Sequence, residues 1–179
     1  MTNCFDINLH LNPLKEDIDI KSYGIDSHAR LPISDINPDL IELFKSLDLK
    51  ILLVEVFYTK PHRVTSIHID ARGGDYTKLN YIYGGKNSKM VWYKPKNDIE
   101  KSVSTTSIGT PYLEYKMSEV TKIEDKVVNF PSIIQAGIPH NIINQAEHRY
   151  CLSIVLIRNN DNRITMEESI ELFSNYIIL

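Results

Sequence analysis

Apolar positions along the chain follow two rhythms, and the change from one to the other divides the sequence. Asn37-Pro38 is an N-cap and first-turn pair, and Leu40, Ile41, Phe44 and Leu47 follow on one helical face, which predicts a short amphipathic helix over about 38–48. From Lys50 the rhythm shortens to runs rich in Val, Ile, Tyr and Thr, separated by turns. These runs predict strands at 50–58, 64–70, 77–83, 88–94, 112–117, 122–129, 132–136, 140–144 and 149–157. In 112–117, Leu113, Tyr115 and Met117 share one side, while Tyr112, Glu114 and Lys116 share the other. Gly84-Gly85 reads as the turn between two strands. Thr165-Met166-Glu167-Glu168 matches a capping box ahead of Ile170, Phe173 and Ile177, which predicts a C-terminal helix within 163–179. The first 36 residues carry turn signals at Asn12-Pro13, Tyr23-Gly24 and Leu31-Pro32 and are expected to be irregular, wrapping the core or forming a lid. The sum is an α+β, mainly β chain. Helices flanking a long run of strands favour a barrel or sandwich of antiparallel sheets over βαβ units.

No repeat, low-complexity tract or linker interrupts the 179 residues, so a single domain is expected over 1–179. Its parts would be an N-terminal segment and helix (1–49), a barrel (50–158) and the C-terminal helix (163–179). A hydrophobic fraction of 42% with 24% charged residues excludes a disordered chain. The net charge of −3 gives nucleic acid no electrostatic footing. The opening MTNCFDINLH lacks the features of a signal peptide, and the longest apolar stretch, Ile51 to Phe57, is broken by Glu55. The expectation is therefore a cytoplasmic protein without a membrane partner. Cys4 and Cys151 are too few for a disulfide framework or a thiolate metal site and read as free thiols. Six histidines, at positions 10, 28, 62, 68, 140 and 148, remain as the main source of chemistry.

His68-Ile69-Asp70 closes the strand 64–70. Residues two apart in a strand point to one face, so the imidazole and the carboxylate project side by side, as two ligands of one metal ion would. A strand-end His followed by a turn-capping Asp is the plainer alternative. In 149–157, Tyr150, Leu152, Ile154 and Leu156 share a face that must be buried, which leaves Arg149, Cys151, Ser153 and Val155 on the other. An arginine placed there needs an anionic partner. That partner is either a ligand carboxylate, with Ser153 adding a hydrogen bond, or an Asp or Glu of the chain itself.

His68, Asp70 and His140 together make two imidazoles and one carboxylate, the facial triad of non-haem Fe(II) oxygenases. The ordered set resembles the Fe(II)/2-oxoglutarate-dependent dioxygenases, whose signature is HxD, a distant second His and an Arg about ten residues further on. Here these are His68-Ile69-Asp70, His140 seventy residues past Asp70, and Arg149 nine past His140, with Ser153 four positions later. His148 with Arg158 has a similar spacing, but the polar stretch Gln145 to His148 reads as a turn, which favours His140. The resemblance spans about 50–158 and implies a double-stranded β-helix, a jelly-roll or cupin-like barrel. It also implies that His68, Asp70 and His140 ligate Fe(II), and that Arg149 and Ser153 hold 2-oxoglutarate while O₂ is the oxidant. KLNYIYGGKNSKMVWY resembles the paired strands that follow HxD in prolyl-hydroxylase-like and small phage or bacterial members. Its Asn80, Tyr81, Trp92 and Tyr93 are candidates for the cosubstrate or substrate pocket, with plain core packing as the alternative. The implied activity is hydroxylation of an amino-acid or peptidyl side chain, on a small-molecule or peptide substrate. A cupin-like metal enzyme that does not use 2-oxoglutarate, or a non-catalytic binding module on the same barrel, stays open beside it. Selectivity is expected in the loops 71–76 and 95–111 and in the N-terminal segment. His10, His28 and His62 are expected to face solvent, with His28 or Arg30 reaching substrate only if the N-terminal segment is a lid.

Overall fold

In the computed structural model, which describes residues 2–23, 28–70, 74–97, 101–106 and 108–178, the strand runs fold into two six-stranded antiparallel sheets. The strands are β1 (Cys4–Asp6), β2 (His28–Leu31), β3 (Leu49–Thr59), β4 (Ile67–Asp70), β5 (Thr77–Gly84), β6 (Lys89–Pro95), β7 (Ser104–Thr105), β8 (Pro111–Tyr115), β9 (Val120–Val127), β10 (Ser132–Gln135), β11 (His140–Ile143) and β12 (Arg149–Arg158). One sheet has the order β1-β10-β5-β12-β3-β2 and the other β7-β8-β4-β11-β6-β9. From β3 to β6, and again from β10 to β12, consecutive strands alternate between the sheets, which winds the chain into a double-stranded β-helix, the cupin-like jelly roll. All nine predicted strands are present.

The two helices also begin where their signals place them. In α1 (Pro38–Ser46) the Asn37 side chain accepts from the Asp39 N–H at 3.0 Å, and Leu40 and Phe44 are buried. In α2 (Met166–Leu172) Thr165 and Glu168 exchange the two hydrogen bonds of the capping box. α1 ends at Ser46, beside the last residue of its apolar pattern, whereas α2 ends at Leu172, more than a turn before Ile177. The expected irregular start is corrected in part: β1 pairs with β10 and β2 with β3, so the segment supplies both edges of the first sheet. Met117 leaves the predicted alternation as well. It starts a 3₁₀ turn after β8 and is 63% exposed.

The largest apolar cluster lies outside the barrel, on the outer face of the first sheet. There Val54, Val56, Leu79, Leu152, Ile154 and Leu156 meet α1, α2 and the N-terminal segment. This is the face predicted for 149–157, and Leu152 is fully buried in it. Leu152→Ala is expected to cost about 2–5 kcal/mol, read as a lower denaturant midpoint with an unchanged slope. Between the sheets a smaller cluster around Tyr76, Met90, Trp92 and Ile134 closes only part of the space. With the main core elsewhere, the barrel interior is free to hold a cavity of about 970 Å³. Among the described residues, no helix is long and apolar enough to cross a membrane.

Candidate metal centre

Strand pairing brings the three candidate ligands together. In the antiparallel ladder of β4 and β11, His140 lies directly opposite His68, and Asp70 follows two residues on, on the same face. One donor atom from each lies within 4.8 Å of the others, close enough to share a metal ion. The two imidazole rings are 4.6 Å apart. Each ring also has its proton placed: His68 Nδ1 lies 2.9 Å from the Ser66 carbonyl and His140 Nδ1 lies 2.8 Å from that of Ile138. A carbonyl only accepts, so both Nδ1 atoms carry hydrogen and donate it, which leaves Nε2 to face the cluster. His68 Nε2 stands 3.5 Å from Asp70 Oδ1 and His140 Nε2 4.0 Å from Oδ2. Lone pairs that face one another in this way call for a proton or a metal cation between them.

Electrostatics prepare two of the three groups as ligands. Burial pushes the His140 imidazole down to about 4, and His68 beside it adds to the effect, so His140 is neutral at physiological pH. Burial opposes ionisation of Asp70, but Lys78 and His68 outweigh it and hold the carboxyl well below its ordinary range. For His68, burial favours the neutral ring, yet the Asp70 carboxylate prevails and raises it.

Two charged residues of this site, Glu55 and Lys78, escaped the sequence reading. Lys78 on β5 is buried, with Nζ 2.9 Å from Asp70 Oδ2 and 3.4 Å from Glu55 Oε2. Glu55 on β3 is fully buried, and its Oε1 accepts from Thr110 at 2.7 Å. The same oxygen lies 3.3 Å from His28 Nε2. His28, expected in solvent, instead stacks on Phe57 with ring centroids 4.4 Å apart and lines the cavity. Burial raises the Glu55 carboxyl, but the hydrogen bond to His28, the Lys78 charge and Thr110 together bring it from 4.5 down to about 2. A depressed carboxyl contributes stability above its unfolded value and loses it as pH falls. Between pH 5 and 2 the protein should therefore lose on the order of 3 kcal/mol more than Glu55→Gln does, measured by denaturant unfolding at each pH.

Arg149 is buried at the start of β12 and lines the same cavity, with Cys151 and Ser153 on its face of the strand. No carboxylate pairs with it among the described residues, and its Nε has no hydrogen-bond partner. The internal ion pair weighed for it is therefore absent there. Gly85, with φ of 59°, leaves room for this side chain, since a Cβ there would stand 2.5 Å from the Arg149 Cβ. Asn80 also faces the cavity, its Oδ1 buried and unpartnered. Tyr93 does not reach the cavity. It packs with Ile67, Val91 and Val120 on the opposite face of the second sheet and donates to Asn141 Oδ1 at 3.1 Å. It shares that face with Val91, while Met90 and Trp92 face the barrel interior. Trp92 donates Nε1–H to the Gln135 carbonyl, and Tyr81 lies in the outer core. Both follow the plain packing reading.

His148 bonds Tyr58 at 2.6 Å, while His10 and His62 occupy left-handed turns. Both cysteines are buried free thiols. Of the loops expected to select substrate, Thr105, Thr106 and Thr110 line the cavity, while 71–73, 98–100 and 107, with 24–27 of the N-terminal segment, lie outside the described residues.

No family model and no curated protein matches the chain. Among solved structures it is similar to the vicilin from Solanum melongena, at 14% identity over 74% of this chain, with a TM-score of 0.32. The match covers 30% of that chain, so this protein spans under a third of the vicilin's length. An oxalate oxidase matches over 96% of this chain and 88% of its own, at 10% identity and a TM-score of 0.32. The fold assignment rests on strand order and pairing.

Proposed function

We propose that the protein is an Fe(II)- and 2-oxoglutarate-dependent oxygenase that hydroxylates an amino-acid or peptidyl side chain. The observation that carries this reading is the unpaired, buried Arg149 in the same cavity as the His68–Asp70–His140 cluster. Two imidazole nitrogens and a carboxylate, without a thiolate, suit Fe(II) and leave positions for other ligands. The bound metal supplies O₂ activation, in which one oxygen atom enters the substrate and the other enters 2-oxoglutarate as it is converted to succinate and CO₂.

The chain's own residues bind, orient and exclude water. Hydrogen bonds to Ser66 and Ile138 fix both rings so that Nε2 is presented to the metal. Arg149 holds the distal carboxylate of the cosubstrate, a charge-assisted contact that satisfies its orphaned Nε–H. Ser153, one strand step deeper than Cys151, assists, and Asn80 can turn its amide toward the same ligand. Phe57, Met90, Ile134 and Ile142 provide apolar wall. The amino-acid or peptidyl substrate rests on the likeness of the strands after HxD to prolyl-hydroxylase-like members.

The test is succinate formation from 2-oxoglutarate, dependent on added Fe(II), with a panel of amino acids and peptides as substrates. One observation favours a second reading, a non-catalytic binding module on the same barrel: Asp70 already has a cationic partner in Lys78. A purified protein that binds no divalent metal would select it.

A further inference from the structure

The cluster of three ligands does not stand alone in the barrel wall. The Lys78 ammonium, 5% exposed, is held between Asp70 Oδ2 at 2.9 Å and Glu55 Oε2 at 3.4 Å. Thr110 and His28 fill the other oxygen of Glu55, so neither the ammonium nor the distal carboxylate faces the ligands unsupported. Such a triad is a poor device for stability, because an apolar replacement of similar volume often does as well. Phe57, Met90 and Ile134 line the same cavity, so apolar side chains are accommodated beside it. What the triad changes is the charge met by anything bound at Asp70. One cation sits next to the ligand carboxylate, and one further carboxylate sits behind that cation.

We propose that Lys78, anchored by Glu55, is a positioning residue that sets the charge of the metal cradle. The ammonium commits one oxygen of Asp70 and opposes an incoming divalent cation, while Glu55 behind it partly restores the attraction. The same positive charge favours anionic ligands that chelate the bound metal. Metal affinity is thereby kept below what the two imidazoles and the carboxylate alone would give. The inference rests on the metal-centre part of the reading above and does not require 2-oxoglutarate.

The test uses Mn(II) with the full-length protein, counting free Mn(II) by its electron paramagnetic resonance signal. Lys78→Gln should bind Mn(II) about tenfold more tightly than wild type, because a buried like charge beside the metal is gone. Glu55→Gln should bind it at least about threefold more weakly, and the double variant should return toward wild type. Lys78→Arg, which keeps the charge, should stay near wild type. A purely structural role predicts the other pattern: both single variants weaken binding, and that result overturns the proposal. If Lys78→Gln does not fold, Lys78→Met, which removes the charge and keeps the length of the side chain, still decides, because equal or weaker binding in it overturns the proposal, as does unchanged or tighter binding in Glu55→Gln. A wild-type protein that binds no Mn(II) overturns the proposal together with the metal centre. The predicted order of affinities without any 2-oxoglutarate turnover supports it and removes only the cosubstrate.

Discussion

His68→Ala is expected to abolish Fe(II)-dependent succinate formation and to weaken Fe(II) binding by more than the roughly 10–100-fold that loss of an outer-shell partner costs. The loss is large because, among the described residues, three protein donors converge on the site, and removing one leaves a divalent ion with His140 and a carboxylate already shared with Lys78. His68 is the better choice for the test, since its side chain is 25% exposed and that of His140 is 5% exposed. Truncating the more exposed ring opens less of a cavity, so the fold should survive and thermal melting should move little. Asp70→Ala should give the same loss of turnover. Lys78 would then retain Glu55 as its carboxylate partner among the described residues, and a modest fall in stability should accompany the loss. Retained succinate formation with a normal iron content in either variant would sink the assignment of these ligands.

Arg149→Ala is expected to raise the 2-oxoglutarate concentration needed for half-maximal turnover by about 100-fold or more, the scale of losing a buried charge-assisted pair. Fe(II) affinity should stay within about twofold, because Arg149 makes no ion pair or hydrogen bond with the three ligands. This split between cosubstrate and metal separates the reading from a structural role. A structural arginine would lower stability and affect both ligands together. Arg149→Lys should recover little, because a point charge on a flexible stem cannot reproduce two parallel N–H donors. An unchanged cosubstrate requirement in Arg149→Ala would assign the orphaned guanidinium to some other anion.

Much of this site is legible in the chain because it is local. His68 and Asp70 share a face by strand geometry alone, and Arg149 stands out because the alternate residues Leu152, Ile154 and Leu156 fix the opposite face as core. The same logic reaches Lys78 and Glu55. Leu79 and Tyr81 point into the outer core, so Lys78 and Asn80 must point into the barrel, as must Glu55 between Val54 and Val56. Which charge meets which is a different matter: Glu55 pairs with residues 23 and 55 positions away, and such pairings follow from sheet order. The edges of the first sheet were hidden for a related reason. β1 and β2 have three and four residues, too few for a period, and they are strands only because β10 and β3 offer free edges. Trp92 and Tyr93 are neighbours on one strand and so face opposite sides of the second sheet, and Trp92 takes the inner side.

In the proposed oxygenase, one cavity holds a metal on His68, Asp70 and His140 and a dicarboxylate on Arg149 at the same time. An anaerobic titration of the purified protein with Fe(II) and 2-oxoglutarate tests it most directly. The expected result is a weak visible charge-transfer band that requires both additions, is lost in His68→Ala, and in Arg149→Ala forms only at much higher 2-oxoglutarate. No band with either order of addition, from protein shown to bind Fe(II), would contradict it.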